Sequence, residues 1–289
     1  MKQYLDLLQD ILSNGSDEMD RTGTGTRAVF GRMIRFDMKD GFPAVTTKKL
    51  AWKACVSELL WFLEGSTNTH RLAEIKNDNK PYAELTEKER FTIWNANYDK
   101  QGKELGYKDG ELGPVYGSQW RNFNNEAIDQ LKQVINRIKT NPTDRRLLVT
   151  AWNPAQLNKM ALPPCHYCFQ FYCNEDKLSL MWNQRSIDSF IGLPFNIASY
   201  ALLLHLVAKM TNKIPDELVA SLGNTHIYKN HFEQVKTQLL RKPHKLPTLE
   251  MPNIDWSLSL DEVLKQVKTS DFKLVDYICD EAIKADMAA

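Results

Sequence analysis

The sequence predicts an α+β fold in which helices pack on one large mixed β-sheet, within a single domain over residues 1–289. Apolar residues recur at helical spacing in some segments and follow strand patterns in others. The predicted helices and strands show no regular βαβ alternation, which favours a mixed sheet over a doubly wound nucleotide-binding fold. A chain of 289 residues could form two domains, but no linker divides it.

Two amphipathic helices are predicted towards the amino terminus. Apolar residues recur at helical spacing over residues 4–12, and this pattern stops at Gly15. A second apolar stripe over residues 52–63 stops at Gly65, and glycine commonly follows the last turn of a helix. Both helices are expected to face the core.

A third helix and the first predicted strand follow. Apolar positions over residues 128–138 predict a helix that starts at Asn124 or Asn125 and ends at Asn141, which precedes a proline. Residues 147–152 then predict a strand. The chain therefore changes from helical to strand spacing near its middle.

A hairpin and two more helices complete the predicted elements. Residues 167–173 and 178–182 read as strands, and the polar turn at 174–177 joins them into a hairpin. Residues 196–210 are apolar nearly all round, which predicts a central, buried helix. A last amphipathic helix is predicted over residues 232–239.

Composition excludes several functional classes. With 37 Lys and Arg against 36 Asp and Glu, the net charge of +1 provides no long-range field that draws a protein onto nucleic acid or anionic lipid. Asp6, Gln9 and Asp10 interrupt the apolar amino-terminal stretch, which excludes a signal peptide, and no run approaches the roughly 18 apolar residues of a membrane span. The 5 cysteines lack a regular framework and indicate reduced thiols. We therefore expect a cytoplasmic protein that requires neither membrane nor nucleic acid.

Cys165 is the strongest candidate for a reactive side chain. It follows two prolines, which stiffen the backbone and disfavour a helix through this position. The other cysteines fit the alternative, in which a free cysteine is a small buried hydrophobe: Cys55, Cys168, Cys173 and Cys279. Cys165 differs because Arg185 and His166 offer positive charge or hydrogen bonds that could lower its pKa and favour the nucleophilic thiolate.

Arginines form a second group of candidates. They are Arg21 in a Gly/Thr-rich loop, Arg145 and Arg146 after a Pro-Thr-Asp turn, and Arg185 beside Ser186. Each arginine alone could be a solvated loop charge, and the Gly/Thr loop lacks the lysine spacing of a P-loop. Together they supply guanidinium groups, whose forked geometry suits a phosphate dianion better than lysine does. The sequence therefore predicts a small phosphorylated substrate.

Seven motifs, in this order and spacing, resemble those of the thymidylate synthase family. They are Asp20-Arg21-Thr22-Gly23-Thr24-Gly25, Gly113-Pro114-Val115-Tyr116-Gly117, Asp144-Arg145-Arg146, Pro164-Cys165-His166, Gln184-Arg185-Ser186, Gly192-Leu193-Pro194-Phe195-Asn196-Ile197-Ala198-Ser199-Tyr200 and Thr225-His226-Ile227-Tyr228. The resemblance is firm over residues 1–243. It implies the thymidylate synthase fold and the conversion of dUMP and 5,10-methylenetetrahydrofolate, a consumed co-substrate, to dTMP and dihydrofolate. It also implies a homodimer and no metal.

The resemblance assigns the chemistry to five side chains. Cys165 adds to carbon 6 of uracil and so activates carbon 5, while Asn196 reads the uracil carbonyl and ring N–H. Glu58 transfers protons, Tyr116 assists proton removal at carbon 5, and His166 orders water. Two alternatives remain open, since Asn196 could cap the following helix and Glu58 could be an exposed helix residue. If Glu58 is buried instead, burial raises its pKa towards general acid/base use.

The resemblance also assigns residues to binding. For dUMP they are Arg21, Arg185 and Ser186 at the phosphate, Arg145 and Arg146 supplied there by the partner subunit, Gln184 on the nucleotide, and His226 and Tyr228 at the sugar hydroxyl. For the folate, Asp188 contacts the pterin ring and also counts among the substrate contacts. The other folate residues are an apolar wall of Trp94, Leu162, Ile191 and Phe195, together with Gly192, and Ala288 in the closing tail. His226 and Tyr228 could instead be ordinary partly buried residues on one face of a strand.

Departures from the family pattern keep other functions open. Asn95-Ala96-Asn97 replaces a frequent aspartate and second tryptophan, Asn183 a frequent tyrosine, and Asn224 a frequent aspartate, while the tail lacks the usual Ala-Pro-Val opening. The alternative enzyme is a deoxyuridylate hydroxymethylase, in which water instead of hydride captures the methylene intermediate, although the retained Trp94 favours methylation. The alternative from another class is a noncatalytic RNA- or nucleotide-binding module, against which the near-zero net charge argues.

Overall fold

The architecture is α+β, as the sequence predicts. The structure is a computed structural model that describes residues 1–20 and 23–286. The helices are α1 Lys2–Asn14, α2 Trp52–Glu64, α3 Thr69–Lys76, α4 Glu87–Arg90, α5 Asn95–Asn97, α6 Gly117–Arg121, α7 Gln130–Thr140, α8 Gly192–Met210, α9 Phe232–Leu239 and α10 Leu260–Gln266. The strands are β1 Ser16–Glu18, β2 Thr26–Asp37, β3 Leu148–Thr150, β4 His166–Asn174, β5 Lys177–Asp188, β6 Ile214–Tyr228, β7 Thr248–Glu250 and β8 Lys273–Val275.

A mixed sheet organises the fold. Within residues 1–20 and 23–286 it has 6 strands in the order β1-β2-β6-β5-β4-β3. β5 and β6 run parallel, whereas the other neighbouring strands are antiparallel. β4 and β5 form the predicted hairpin, and Glu175 in its turn has a left-handed φ of 56°. β7 and β8 pair separately.

One face of the sheet is covered by the apolar helix α8, which contacts β5 and β6. Side chains from five neighbouring strands form a buried row on this face: Ile34, Ala220, Trp182, Phe169 and Val149. Contrary to the sequence expectation, α8 is long and apolar enough to cross a membrane, but 78% of its apolar window is buried inside the protein. This burial identifies α8 as the central core helix that the sequence predicts.

The opposite face of the sheet keeps its side chains partly exposed. One row across this face consists of Met33, Ser221, Asn183, Cys168 and Thr150. Met33 is 54% exposed, Leu148 43% and Tyr172 66%. We call this surface the open face; in a single chain it presents large apolar groups to solvent.

The predicted start of the third helix is wrong. α7 begins at Gln130, because the Asp129 side chain accepts a hydrogen bond from the Lys132 N–H at 2.9 Å and caps it. Asn124 and Asn125 lie in the preceding turn, with φ of 57° and 60°. Both asparagines therefore serve a turn that tolerates left-handed φ.

The boundaries of β5 and α8 also differ from the prediction. β5 continues beyond Trp182 to Asp188, because it pairs with β6 along this polar stretch. α8 begins at Gly192, more than one turn before Asn196. Asn196 therefore does not cap the helix, and that alternative for its role is wrong.

Candidate functional site

Cys165 lies directly before β4, and its backbone is held on both sides. Its N–H donates to Tyr116 Oη at 2.8 Å. Its carbonyl accepts a hydrogen bond from the Arg185 N–H at 2.9 Å. Pro163 and Pro164 restrict the chain immediately upstream. The half-buried thiol is therefore presented from a rigid backbone.

The Arg185 side chain lies beside this thiol. Its Nε donates to the Pro164 carbonyl at 2.9 Å and its Nη2 to the Pro163 carbonyl at 3.0 Å, while Nη2 lies 3.9 Å from Cys165 Sγ. Burial nevertheless raises the pKa of Cys165, although Arg185 and the hydrogen bond with Tyr116 act in the opposite direction. The expectation that its neighbours lower this pKa is therefore wrong, because the net change is a rise. The thiol form consequently dominates at neutral pH.

His166 is buried and neutral. Burial lowers its pKa to about 3, so it supplies no positive charge to Cys165, contrary to the sequence expectation. Its Nδ1 lies 2.8 Å from Tyr200 Oη. Tyr200 is also buried and has no other hydrogen-bond partner in the described part of the chain, so we assign its hydroxyl as the donor to Nδ1. The proton of neutral His166 then resides on Nε2, which can donate a hydrogen bond.

Tyr116 links the thiol to the aromatic residues of α2 and β4. Its ring stacks on Phe62 with centroids 5.0 Å apart and lies 4.4 Å from the ring of His166. Its φ of 27° is unusual for a residue other than glycine, and such strain persists only where the surroundings impose it. Burial raises the pKa of Tyr116 well above its usual value, so the phenol is protonated.

Glu58 is a buried carboxyl group of α2, which excludes the alternative of an exposed helix residue. It is 6% exposed and accepts a hydrogen bond from Trp94 Nε1 at 2.7 Å. Burial raises its pKa to about 7, and the hydrogen bond from Trp94 acts against this rise. Both protonation states are therefore populated near neutral pH, as general acid/base catalysis requires.

Two carboxamide side chains form a chain of hydrogen bonds between β5 and α8. Gln184 Oε1 accepts from Trp182 Nε1 at 3.1 Å, and Gln184 Nε2 donates to Asn196 Oδ1 at 3.1 Å. Gln184 pairs with His166 in the β4–β5 register. Gln184 therefore connects Asn196, the amide predicted to read the pyrimidine, to the strand position opposite His166.

Asp188 and His226 are neighbours at the end of the parallel strand pair. Asp188 Oδ1 accepts hydrogen bonds from the N–H groups of Phe190 at 2.9 Å and Ile191 at 3.0 Å, just before α8. His226 Nδ1 lies 2.8 Å from Asn224 Oδ1. The rings of His226 and Tyr228 are 5.2 Å apart, so the two residues share a face of β6 as predicted.

The residues assigned to the folate wall are buried or partly buried. Trp94 is buried, and its ring is 5.8 Å from that of Tyr116. Leu162, Ile191 and Phe195 are partly buried and pack against the core. Gly192 is the first residue of α8, and Ala288 lies outside the described residues.

Of the predicted arginines that the structure describes, Arg145 and Arg146 are not brought together with Arg185 within one chain. Arg185 is at the thiol, whereas Arg145 and Arg146 are exposed before β3, where Arg146 pairs with Asp144 at 3.0 Å. Extending the β3–β4 register places Arg146 beside Tyr172, seven residues along the strand from Cys165 and thus about 23 Å away. Ser186 is partly buried in β5, and Arg21 lies outside the described residues.

Lys48 is a residue of this region that the sequence analysis missed. Its Nζ donates to the Phe190 carbonyl and lies 3.6 Å from the centroid of the Phe190 ring. Burial lowers its pKa to about 8, although Asp188 raises it. A lysine in a Thr-Thr-Lys-Lys run resembles a loop charge, so nothing in the local pattern indicates this burial.

The side chain of Asn95, one of the departures from the family pattern, makes its hydrogen bonds with a residue nearby in the sequence. Its Oδ1 accepts hydrogen bonds from the Thr92 N–H at 2.6 Å and the Thr92 hydroxyl at 2.7 Å. Asn183 lies on the open face, where its Nδ2 is 3.5 Å from Cys168 Sγ. Among residues 1–20 and 23–286, no group of three or more His, Cys, Asp or Glu side chains could hold a metal ion.

Known proteins resemble this chain in sequence and in fold. The sequence model of the thymidylate synthase family matches residues 2–289. The chain is 53% identical to thymidylate synthase of Enterobacteria phage T4 and 50% identical to a probable thymidylate synthase of Escherichia phage T5, in each case over 100% of both chains. Its structure matches the crystal structure of thymidylate synthase from T4 phage with a TM-score of 0.91, at 52% identity and 100% coverage of both chains.

Proposed function

The chain belongs to the thymidylate synthase family and converts dUMP to dTMP with 5,10-methylenetetrahydrofolate, and we propose that Cys165 is the nucleophile of this reaction. The observation that carries the assignment is the placement of the thiol. Its backbone is fixed by Tyr116 and Arg185, and its sulfur lies 3.9 Å from the Arg185 guanidinium. The chain therefore presents a sulfur whose ionised form has a cation beside it.

Covalent addition solves the problem that carbon 5 of uracil is a weak nucleophile. The Cys165 thiolate forms a bond to carbon 6, and the electron pair of the carbon 5–carbon 6 double bond moves towards the carbonyl oxygen at carbon 4. The resulting enolate attacks the methylene carbon through carbon 5, and one carbon–nitrogen bond to the folate breaks. After loss of the carbon 5 proton the second carbon–nitrogen bond breaks, and hydride transfer from the folate then gives the methyl group and dihydrofolate while the bond to Cys165 breaks and the thiolate leaves. Because burial raises the pKa of Cys165, the positive charge of Arg185 is needed to stabilise the thiolate at the moment of attack.

Buried groups transfer the protons in this series of reaction steps. Glu58, with a pKa of about 7, transfers protons at the uracil oxygen and the folate. Tyr116 assists removal of the proton from carbon 5, and neutral His166 orders water through its Nε2. All three side chains are buried, so bulk solvent has little access to these proton-transfer groups.

The nucleotide contacts follow the strand ends. Asn196 and Gln184 bind the pyrimidine, while His226 and Tyr228 bind the sugar hydroxyl. Arg21, Arg185 and Ser186 bind the phosphate. The folate lies against Asp188, Gly192 and the apolar wall of Trp94, Leu162, Ile191 and Phe195. Ala288 belongs to the closing tail.

The phosphate site requires a second copy of the chain. Arg145 and Arg146 lie about 23 Å from Cys165 by strand spacing, too far to share a phosphate with Arg185 of the same chain. The open face exposes Met33, Leu148 and Tyr172, and a second copy would bury these apolar groups. A homodimer in which each chain supplies Arg145 and Arg146 to its partner's site satisfies both observations.

The remaining proposals concern organisation and location. The sheet and its helices share a continuous hydrophobic core, which supports one catalytic domain over residues 1–289. All 5 cysteines are free thiols, which supports a reducing compartment, the cytoplasm.

Identification of both products tests the function. Purified protein is incubated with dUMP and 5,10-methylenetetrahydrofolate, and the nucleotide and folate products are identified by mass. We expect dTMP and dihydrofolate in equal amounts, and none of either from Cys165→Ala. Formation of 5-hydroxymethyl-dUMP and tetrahydrofolate would instead identify a hydroxymethylase.

A further inference from the structure

Trp182 is a buried residue for which the catalytic assignments provide no role. We propose that its indole N–H fixes the orientation of the Asn196 amide and thereby contributes to the choice of uracil over cytosine. This inference rests on the proposed function, because it concerns how the same pyrimidine is read. Trp182 is a positioning residue, since it acts through Gln184.

The orientation of a carboxamide is decided by its neighbours, because its oxygen and nitrogen have the same shape but opposite hydrogen-bonding roles. An indole N–H can only donate. Gln184 must therefore place Oε1 towards Trp182 Nε1, at 3.1 Å. Its Nε2 then faces away from the indole and donates to the Ser186 carbonyl at 3.2 Å.

The same constraint passes to the second amide. Gln184 Nε2 also donates to Asn196 Oδ1 at 3.1 Å, so both of its hydrogens are used. Asn196 must therefore keep Oδ1 towards Gln184 and turn Nδ2 away from it. Within the described residues, Asn196 Nδ2 donates to no protein group, and the side chain is only partly buried.

This orientation discriminates between the two pyrimidines. The free Nδ2 donates to an acceptor, and uracil has a carbonyl oxygen at carbon 4. Cytosine has an amino group there, so two donors would face each other and both would lose hydrogen bonds on burial. Asn196 Oδ1 retains a second lone pair for the ring N–H of uracil.

Trp182 is suited to hold this orientation because it cannot move easily. It is fully buried, and its ring stacks on Tyr200 of α8 with centroids 5.0 Å apart and an interplanar angle of 6°. Gln184 is also buried, at 2% exposure. A rigid donor next to a buried acceptor leaves one low-energy orientation for the amide chain.

The test is Trp182→Phe, which retains an aromatic ring against Tyr200 but removes the N–H. The dissociation constants of dUMP and dCMP are measured by calorimetry, and kcat and KM are measured for dUMP. We expect the ratio of the dCMP to the dUMP dissociation constant to fall about three- to tenfold, the effect of one lost hydrogen bond, with KM changed more than kcat. A ratio that stays within about twofold of the wild-type value, in a folded variant, overturns the proposal.

Trp61→Phe is the matched control. Trp61 is also fully buried, and its Nε1 donates to the Asn68 carbonyl at 3.1 Å, outside the amide chain. We expect this variant to lose stability without any change in the dCMP to dUMP ratio. If both variants lower the ratio equally, the effect is general loosening of the core, and the role of Trp182 is overturned.

Gln184→Glu tests the proposal without altering Trp182, in case Trp182→Phe does not fold. An ionised carboxylate cannot donate, so Asn196 must turn Nδ2 towards it and present Oδ1 to the base. At alkaline pH we expect the ratio to shift towards dCMP, and an unchanged ratio overturns the proposal. Turnover of dUMP by the wild-type chain separately tests the proposed function, so a failure of that function can be told apart from a failure of the role proposed for Trp182.

Discussion

The candidate site has a buried half, made of aromatic and titratable side chains, and an arginine half. The two halves differ in how much of each a single chain brings together. Glu58, Trp94, Tyr116 and His166 contact one another inside the core, and burial is the largest cause of each pKa shift among the three that titrate. The exposed Arg145 and Arg146 have no such surroundings and lie far from the thiol. The difference teaches that one chain can prepare the proton chemistry by burial, whereas the proposed phosphate site uses charges from a second copy.

Mixing two impaired variants tests whether the arginine half is shared between two chains. Cys165→Ala lacks the nucleophile, and Arg146→Ala lacks the charge proposed for the partner's phosphate site. In a mixed dimer, one site combines an intact Cys165 with an intact Arg146. After denaturation and refolding of an equal mixture, we expect about a quarter of wild-type activity.

Refolding each variant alone is the control for this recovery. Neither is expected to gain activity, and Arg146→Ala is measured at dUMP concentrations below its KM, where losing a charged hydrogen bond costs about tenfold or more. If the mixture is no more active than the mean of its components, the arginines are not shared between chains.

Glu58→Gln tests the buried half. The amide retains the shape and can still accept the hydrogen bond from Trp94, but it cannot transfer a proton. We expect kcat to fall about 10²- to 10⁴-fold, with dUMP affinity nearly unchanged. Steady-state kinetics and equilibrium binding measure the two quantities; a loss of dUMP affinity as large as the loss in kcat would contradict the proton-transfer role.

The same substitution changes the pH dependence of stability. Burial raises the pKa of Glu58 from 4.5 to about 7, so between these values the folded state holds a proton that the unfolded state has released. The free energy of unfolding therefore decreases as pH rises through this window, by about 3 kcal/mol from this one group. Urea unfolding at several pH values should show this decrease in the wild type and its absence in Glu58→Gln. The exposed Glu84→Gln serves as the control, and equal slopes in all three proteins would exclude a buried, protonated Glu58.

Tyr200→Phe has the smallest expected effect. It removes the hydroxyl that donates to His166 Nδ1, so the proton of His166 is no longer confined to Nε2. We expect kcat to fall about tenfold with KM for dUMP unchanged, the loss of one buried hydrogen bond. Tyr172→Phe, on the open face, is the matched control and should leave kcat unchanged. A rise in KM together with the fall in kcat for Tyr200→Phe would indicate general disorder of α8 instead.

Local sequence patterns predict the elements that carry the site but not the contacts between them. The helical stripe of α2 correctly places Glu58 among apolar neighbours, and the composition of the β4–β5 hairpin is sufficient to predict its turn. The bonds that decide the chemistry join distant residues, such as Trp94 to Glu58 and Tyr200 to His166. No local pattern specifies which distant side chains meet, so these hydrogen-bonded pairs could not be predicted from the sequence.

The errors at element boundaries have a similar cause. α8 begins at Gly192, and the Asp188 side chain holds the turn before it by accepting hydrogen bonds from the N–H groups of Phe190 and Ile191. The sequence pattern marks only the apolar part of the helix. β2 escapes prediction because Gly31, with φ of 71°, interrupts its alternation. The prediction that Arg185 lowers the pKa of Cys165 had the right sign for that pair but could not include the larger cost of burial.

Intact-mass measurement of a trapped complex tests the central claim most directly. A fluorine at carbon 5 of dUMP cannot leave as a proton does, so the reaction stops while carbon 6 is still bonded to the protein. With 5-fluoro-dUMP and 5,10-methylenetetrahydrofolate, the account predicts that the denatured chain gains the mass of both compounds, that peptide mapping places them on Cys165, and that Cys165→Ser gains nothing. An active wild-type chain that forms no adduct, or forms it on another cysteine, would contradict the account.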